Sequence, residues 1–372
     1  MPAIKPTPSP FQKPFSLVEL KHPSKPTHGL IFIGDPHLWS FKPGRRRDAS
    51  FRDTVLGKIA QAAEISNRLN LWPILLGDLF HAPDDNDVST LVGLVRVLGL
   101  FDRKPVTLEG NHDKDELKLS ERNPLTLLRE TGQIDVMEVS GPWATLVLES
   151  TDGKEHHVQI GGTPYGSPLP LSYESIFSQL RPAHIGTVVW ITHEDLAFEG
   201  SYPGALPLEA MPGIDLVVNG HMHATKLPVH RDDTVFYNPG NITRMSIDQA
   251  EHVPSVWEWT PFSNQTMPSS TGTKVPKLVQ HVLKHVSAAD IFDFEGRHSK
   301  NVSVPTQAPE SGGSRFVEIM KQDRMTGRTD DGEFTRASLL AVLEELEATE
   351  EVRNISQRIC DTAIRQHQEA AH

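Results

Sequence analysis

The sequence predicts a layered α/β fold, and three observations carry that prediction. Five short apolar runs, residues 30–33, 72–76, 106–108, 188–191 and 216–218, show no polar alternation, which suits strands buried on both faces. Helical patterns separate the first three runs, and strand alternating with helix is what a helix-covered sheet requires. Each run also stops abruptly at a polar cluster, as strands do where they leave a core.

The elements follow in order. Residues 1–27 hold Pro2, Pro6, Pro8, Pro10, Pro14, Pro23 and Pro26, so this leader is expected to be an extended or disordered arm, with only Phe15 to Leu20 apolar enough for a short edge strand. After the first run, Val55, Ile59 and Ala63 share a helical face behind the cap candidate Asp53. After the second, Leu91, Leu94, Val95 and Leu98 share another behind Ser89. Met137 to Gly166 is strand-rich around the turn signal Asp152-Gly153 and is expected to enter a second sheet. A catalytic domain is assigned to residues 28–262, followed by a polar stretch, Ser263 to Thr273. Residues 274–297 read as a small cap-like element, 298–315 as a linker rich in Ser, Pro and Gly, and 316–372 as a C-terminal helical segment. There Leu339, Leu343 and Leu346 form one stripe and Val352, Ile355 and Ile359 a second, a pattern that most often packs on its own protein.

Composition narrows the function classes. A chain of 372 residues suffices for two or three domains and a large core without disulfide staples. Its single cysteine, Cys360, cannot form an intramolecular disulfide and reads as a packing residue, which points to a reducing, intracellular compartment. No apolar run reaches the length of a membrane helix, and the leader lacks the apolar stretch of a signal peptide. The net charge of −12 argues against a general nucleic-acid coat and leaves room for a local basic patch.

Every apolar run ends in residues that bind metals: Gly34-Asp35-Pro36-His37, Gly77-Asp78-Leu79-Phe80-His81, Gly110-Asn111-His112-Asp113, Thr192-His193-Glu194 and Asn219-Gly220-His221-Met222-His223. Ligands of open α/β sheets collect beyond the carboxyl ends of the strands, so five separate segments can converge on one place. In the first and last clusters the ligands stand two residues apart, which in extended backbone turns both side chains to one side. A glycine directly before the first ligand, in four of the five clusters, permits a sharp exit and a close backbone approach. Carboxylate, imidazole and carboxamide make a mixed oxygen and nitrogen set suited to manganese, iron or zinc, with too many ligands for one ion. Two divalent ions about 3.5–4 Å apart, joined by a carboxylate, would use the whole set, activate a water and clamp a phosphate. The reaction implied is hydrolysis of a phosphate ester.

In this order the blocks resemble the calcineurin-like metallophosphoesterase superfamily, whose pattern is Asp-x-His, Gly-Asp, Gly-Asn-His, a lone His and Gly-His-x-His; all five occur within residues 28–245. The resemblance implies a sandwich of two β-sheets flanked by helices, with a small C-terminal cap and a helical tail. It implies that Asp35, His37, Asp78 and His223 hold one ion, and that Asp78, Asn111, His193 and His221 hold the other, with Asp78 as the bridge. His112 then stays off the metals, near the leaving-group oxygen, as general acid or transition-state stabiliser. Protein phosphatases of this superfamily carry Gly-Asp-x-Val-Asp-Arg-Gly and Gly-Asn-His-Glu, where this chain has Gly-Asp-Leu-Phe-His and Gly-Asn-His-Asp. The latter pair resembles SbcD-type DNA repair exonucleases and their phage relatives, in which a His three residues after the bridging Asp helps to orient the DNA phosphate; His81 matches it. Asn238-Pro239-Gly240-Asn241-Ile242-Thr243-Arg244 resembles the strand and turn after the last block of those nucleases.

On that resemblance the expected protein is a two-metal DNA nuclease of repair or recombination. Its ions would be manganese, with iron or zinc as alternatives. Its partners would be DNA, an SbcC-type coiled-coil ATPase docked on the C-terminal helices, and a second copy of itself. The alternatives are a phosphoesterase acting on a nucleotide or phosphoprotein, and a non-catalytic scaffold; scaffolds of this kind usually lose ligands, and none is missing here. Arg45, Arg46 and Arg47 follow the first ligand loop and could touch a DNA backbone, although a solvated charge run reads equally well. Asp113 either orients His112 or caps the next helix, while Arg244, His156 and His157 read as surface or packing residues.

Overall fold

The computed structural model describes residues 18–19, 27–115, 118–201 and 204–294. Along the chain these form β1 (Val18–Glu19), β2 (Gly29–Ile33), α1 (Phe51–Leu69), β3 (Leu71–Leu75), α2 (Val88–Leu98), β4 (Val106–Leu108), α3 (Pro124–Glu130), β5 (Asp135–Met137), β6 (Gly141–Glu149) and β7 (Glu155–Thr163). Then come α4 (Tyr173–Phe177), β8 (Ile185–Thr192), β9 (Leu216–Asn219), β10 (Lys226–Arg231), β11 (Thr234–Asn238), β12 (Ser255–Trp259), β13 (Thr266–Pro268), β14 (Lys274–Pro276), β15 (Val279–Val282) and α5 (Ala288–Ile291). A single 3-10 turn, Ile247–Gln249, lies between β11 and β12.

Two sheets make the α/β sandwich that was expected. One has the strand order β1-β6-β7-β8-β9-β11-β10, the other β15-β12-β2-β3-β4-β5. Parallel pairing runs through β2, β3, β4 and β5 in the second sheet and through β7, β8, β9 and β11 in the first. The carboxyl ends of β2, β3 and β4 are therefore aligned in one sheet, and those of β8 and β9 in the other.

The apolar runs owe their lack of alternation to two coverings. Leu30 and Phe32 of β2, Ile74 of β3 and Leu108 of β4 meet Val158 and Ile160 of β7 and Val189 and Ile191 of β8 between the sheets. The intervening Ile31, Ile33 and Leu75 point the other way, onto Val55 and Ile59 of α1, Leu94 of α2 and Leu125 of α3. On the far face of the larger sheet, Val188 and Trp190 pack with Tyr173 and Phe198. With period-2 side chains buried on both faces, every position of a central strand must be apolar.

Several boundaries differ from the sequence reading. Ser50, not Asp53, caps α1: its hydroxyl accepts the Asp53 N–H at 3.2 Å, and Asp53 becomes a first-turn acid. Asp87, not Ser89, caps α2 by accepting the Thr90 N–H at 2.7 Å. A cap must reach an amide two or three residues on, and neighbouring candidates leave that register open in sequence. The turn at Asp152-Gly153 does join a hairpin, β6 with β7, inside the larger sheet. Within residues 274–297, β15 pairs antiparallel with β12 and forms the edge of the six-stranded sheet, while β14 pairs with β13. Distant pairing of that kind leaves no mark on local pattern. In the leader, β1 pairs with β6. The rest of residues 1–26, the linker 298–315 and the helical segment 316–372 lie outside the described residues. No helix among the described residues is long and apolar enough to cross a membrane.

Candidate metal centre

Five strand ends from two sheets deliver their polar residues to one place. Asp35 and His37 follow β2, Asp78 and His81 follow β3, Asn111 and His112 follow β4, His193 follows β8, and His221 and His223 follow β9. Asp35, His37 and His223 offer ligand atoms all within 4.8 Å of one another, as do Asp78, His193 and His221. Asp78 connects the two groups, its Oδ2 lying 3.1 Å from His193 Nε2 and 3.6 Å from His37 Nε2. Asn111 Oδ1 lies 3.3 Å from His193 Nε2 and 2.9 Å from His221 Nδ1. His37 Nε2 and His223 Nε2 face each other at 2.8 Å. All seven residues singled out as ligands are thus neighbours.

Local backbone makes this convergence. The His37 N–H donates to the Asp78 carbonyl at 2.9 Å, tying the turns after β2 and β3 together. His37, Asp78 and His221 adopt left-handed backbone, with φ of 46°, 46° and 66°. Such a conformation costs a non-glycine residue about 1 kcal/mol and typically persists where the surroundings impose it. Two glycines are required by contact: a Cβ on Gly110 would stand 2.0 Å from Asp78 Oδ1, and one on Gly220 would stand 2.8 Å from Asp35 Oδ1.

The charges in the cluster call for cations. Both Asp35 oxygens and Asp78 Oδ2 are buried without a hydrogen-bond donor, a costly state for a carboxylate. Burial pushes Asp35 up to about 7, against the pull of His193 and with the push of Asp78. Burial acts on Asp78 in the same sense, yet His193 and His37 overcome it and hold Asp78 far below the usual carboxylate range. For His193 burial favours the neutral form, but the carboxylates of Asp78 and Asp35 prevail and raise it to about 10. Burial lowers His37, His221 and His223, the last to about 4, so these rings are neutral and their lone pairs are available. Two buried carboxylates, neutral imidazoles and a carboxamide form a donor set that fits a pair of divalent cations.

Neighbouring groups fix the rings. His193 Nδ1 donates to the Leu76 carbonyl at 2.6 Å, which leaves Nε2 facing Asp78 and Asn111. Asp195 Oδ1 lies 3.4 Å from His221 Nε2, and Gln249 Nε2 lies 2.7 Å from His223 Nδ1. Neither Asp195 nor Gln249 was visible in the sequence, because Asp195 sits in a loop, Gln249 ends a 3-10 turn, and neither belongs to a motif. Partners of this kind orient metal-binding histidines.

His112 lines the cleft beside the ligand cluster. Its backbone N–H donates to Asp78 Oδ1 at 2.8 Å and its Nδ1–H donates to the His81 carbonyl at 2.8 Å, so Nε2 is the ring nitrogen outside that bond. The His81 ring stacks on it with centroids 5.1 Å apart, and Trp39 backs His81 at 4.4 Å. Burial and His112 lower the pKa of His81. His37, His81 and His112 also form a close group, but one without a carboxylate. Asp113 does neither of the two things expected of it. Buried, it accepts the N–H groups of Phe80 and Gly110 at 3.0 Å each and braces the turn after Asp78 against the turn before Asn111.

The arginine run does not share one solvent face. Arg46 is buried and grips Asp48 through Nε and Nη2 at 2.6 and 2.8 Å, so it packs inward and is not offered to DNA. Arg47 is exposed and pairs with Asp293 at 3.1 Å, and Arg45 is half-buried. A cleft of about 680 Å³ opens over Asp78, His112, His221 and His223, with Asp195, Asp248 and Glu251 also on its wall.

The sequence model of the calcineurin-like phosphoesterase family matches residues 29–225, just over half of the chain. The chain belongs to that family. Similar solved structures include the NAD nucleotidase of Haemophilus influenzae, at 13% identity and TM-score 0.38, covering 68% of this chain and 50% of the nucleotidase. An archaeal phosphodiesterase is 16% identical with TM-score 0.30, covering 68% of this chain and 99% of the other. Nuclease MPE of Pseudomonas putida is 18% identical with TM-score 0.28, covering 64% of this chain and 84% of the other. The chain thus spans about half the length of the nucleotidase it resembles. No curated protein sequence matches it.

Proposed function

We propose that the phosphoesterase is a two-metal phosphodiesterase that hydrolyses DNA, a repair or recombination nuclease of SbcD type. The observation that supports this reading is the stacked pair His81 and His112 beside the ligand cluster. A diester requires a proton for a poor leaving alkoxide and a donor that aims the phosphate, and two adjacent imidazoles suit these tasks.

Asp35, His37, Asp78 and His223 would hold one divalent cation, and Asp78, Asn111, His193 and His221 the other. Bound there, the cations supply Lewis-acid charge to the phosphate and lower the pKa of the attacking water; manganese is the expected metal, with iron or zinc as alternatives. His112 gives a proton from Nε2 to the leaving oxygen while the His81 carbonyl holds its Nδ1–H in place. The His81 ring, held by Trp39, donates to a non-bridging phosphate oxygen. Asp113 keeps the loops of Asp78 and Asn111 at their spacing.

The test compares linear duplex DNA, single strands, a mononucleotide and a chromogenic phosphomonoester, each with manganese and with chelator. DNA hydrolysis that chelator abolishes, and that His81→Ala weakens more than monoester hydrolysis, is the expected result. Preference for the monoester overturns the DNA reading and leaves the phosphoesterase intact.

A second reading, a nucleotide-sized phosphoester as substrate, is favoured by the cleft itself. Its 680 Å³ suits a small molecule, and Asp195, Asp248 and Glu251 would repel a long polyanion. It predicts that the mononucleotide outcompetes DNA in the same assay. An SbcC-type ATPase on residues 316–372, a homodimer and an intracellular location complete the nuclease proposal. Co-purification with such an ATPase, light scattering and cell fractionation test these in turn.

A further inference from the structure

We propose that a second binding site, beside α1 and separate from the metal centre, takes a phosphate-type oxyanion. A cavity of about 210 Å³ is lined by Arg46, Asp48, Lys58, Arg244 and Lys284, and it shares no lining residue with the cleft over the metal centre. Three of its cations are interior groups: Arg46 is 4% exposed, Lys58 4% and Arg244 7%.

Only one of these charges is matched. Arg46 holds Asp48, and Asp53, which also lines the cavity, pairs with Arg52 at 3.0 Å. Lys58 Nζ donates to the Lys284 carbonyl at 3.2 Å. Arg244 donates from Nε to the His252 carbonyl at 2.6 Å and from Nη1 to the Val286 carbonyl at 3.0 Å. All three acceptors are neutral, and among the described residues neither Lys58 nor Arg244 forms an ion pair. Buried ammonium and guanidinium groups are rarely left unpaired. Burial, with Arg244 and Arg46 nearby, lowers Lys58 to about 8, and the opposing pull of Asp48, which Arg46 already holds, does not offset them.

The chemistry of the wall names the ligand. Ammonium and guanidinium donors converging in a concave site match the oxygens of phosphate, and guanidinium does so in bidentate fashion. Exposed Lys284 adds a further positive charge to the lining. The volume falls below the range of about 300–1,000 Å³ typical of drug-sized ligands, so the site suits inorganic phosphate or one terminal phosphate group, not a whole nucleotide.

The test follows heat denaturation of the full-length, metal-loaded protein as inorganic phosphate replaces chloride at constant ionic strength. Phosphate is expected to raise the wild-type Tm by about 2 °C or more. Lys58→Met is expected to have the higher Tm in chloride, since an unmatched buried ammonium is gone, and to lose the phosphate-dependent rise. Its inhibition of hydrolysis by phosphate at the metal centre stays as in wild type. A phosphate-dependent rise that survives undiminished in Lys58→Met overturns the proposal, because the anion then acts at the metal centre or through solvent. A lower Tm of Lys58→Met in chloride also overturns it, because Lys58 is then already satisfied. Should that variant fail to fold, Arg244→Gln decides in the same way: loss of the rise supports the site, and its retention sinks it.

Discussion

The strand-end cluster and the pocket beside α1 are both interior, and both are out of electrical balance, in opposite senses. At the strand ends three carboxylate oxygens, both of Asp35 and Oδ2 of Asp78, lack hydrogen-bond donors, and burial drives Asp35 up to about 7. Beside α1 two cations form no ion pair among the described residues, and burial drives Lys58 down to about 8. The supports differ as much as the signs. Asp35, Asp78 and His193 are short side chains on the tips of hydrogen-bonded strands, with turns tied to each other by backbone bonds. Lys58 and Arg244 reach into their pocket on long, adaptable stems from a helix and a loop. Short ligands on stiff supports can select coordination geometry, whereas long cationic ones accept any oxyanion of suitable size.

The largest effect that would break this contrast is expected at Asp78. Asp78→Ala should lower hydrolysis by about 10³-fold or more and reduce bound metal, read by activity assay and metal analysis on one preparation. Retained activity with a full metal complement would mean that the carboxylate does not join the two groups. His112→Ala should keep the metals and lose about 10²–10⁴-fold in turnover, and metal loss would place His112 among the ligands. Asp113→Ala touches no substrate but frees two turns, so a loss of about 10–100-fold in metal affinity or activity is expected by metal titration and kinetics. A smaller effect sharpens the other side of the comparison. The folded-state pKa of Lys58, about 8, lies below its unfolded value of about 10.4, so the folded protein binds fewer protons there. The resulting destabilisation is full below pH 8 and fades as pH rises toward 10. The Tm advantage of Lys58→Met should shrink over that interval, and an advantage independent of pH would show that charge is not its cause.

The two regions were unequally legible in the sequence. The metal centre announced itself because each ligand cluster follows an apolar run, and a strand buried on both faces is the easiest element to recognise in a single sequence. The pocket stayed hidden because periodicity counts residue types. Lys58 sits among Val55, Ile59 and Ala62 on the buried face of α1, where a lysine reads as an interruption. Arg46 belonged to a basic run that read equally well as solvated, and its grip on Asp48, its bond to the Arg244 carbonyl and its stacking on Phe51 and Phe292 turn it inward. Arg244 and Gln249 act through loops folded back from β11, and the pairing of β15 with β12 spans a long connection. Such long-range contacts are set by tertiary packing, which local pattern does not encode.

The left-handed turns at His37, Asp78 and His221 bear on any attempt to harden this protein. Glycine would be more comfortable than histidine or aspartate at all three, by about 1 kcal/mol each. A library sorted for heat resistance alone would therefore drift toward those substitutions and select stable, inert molecules. Directed evolution here needs a turnover gate at every round.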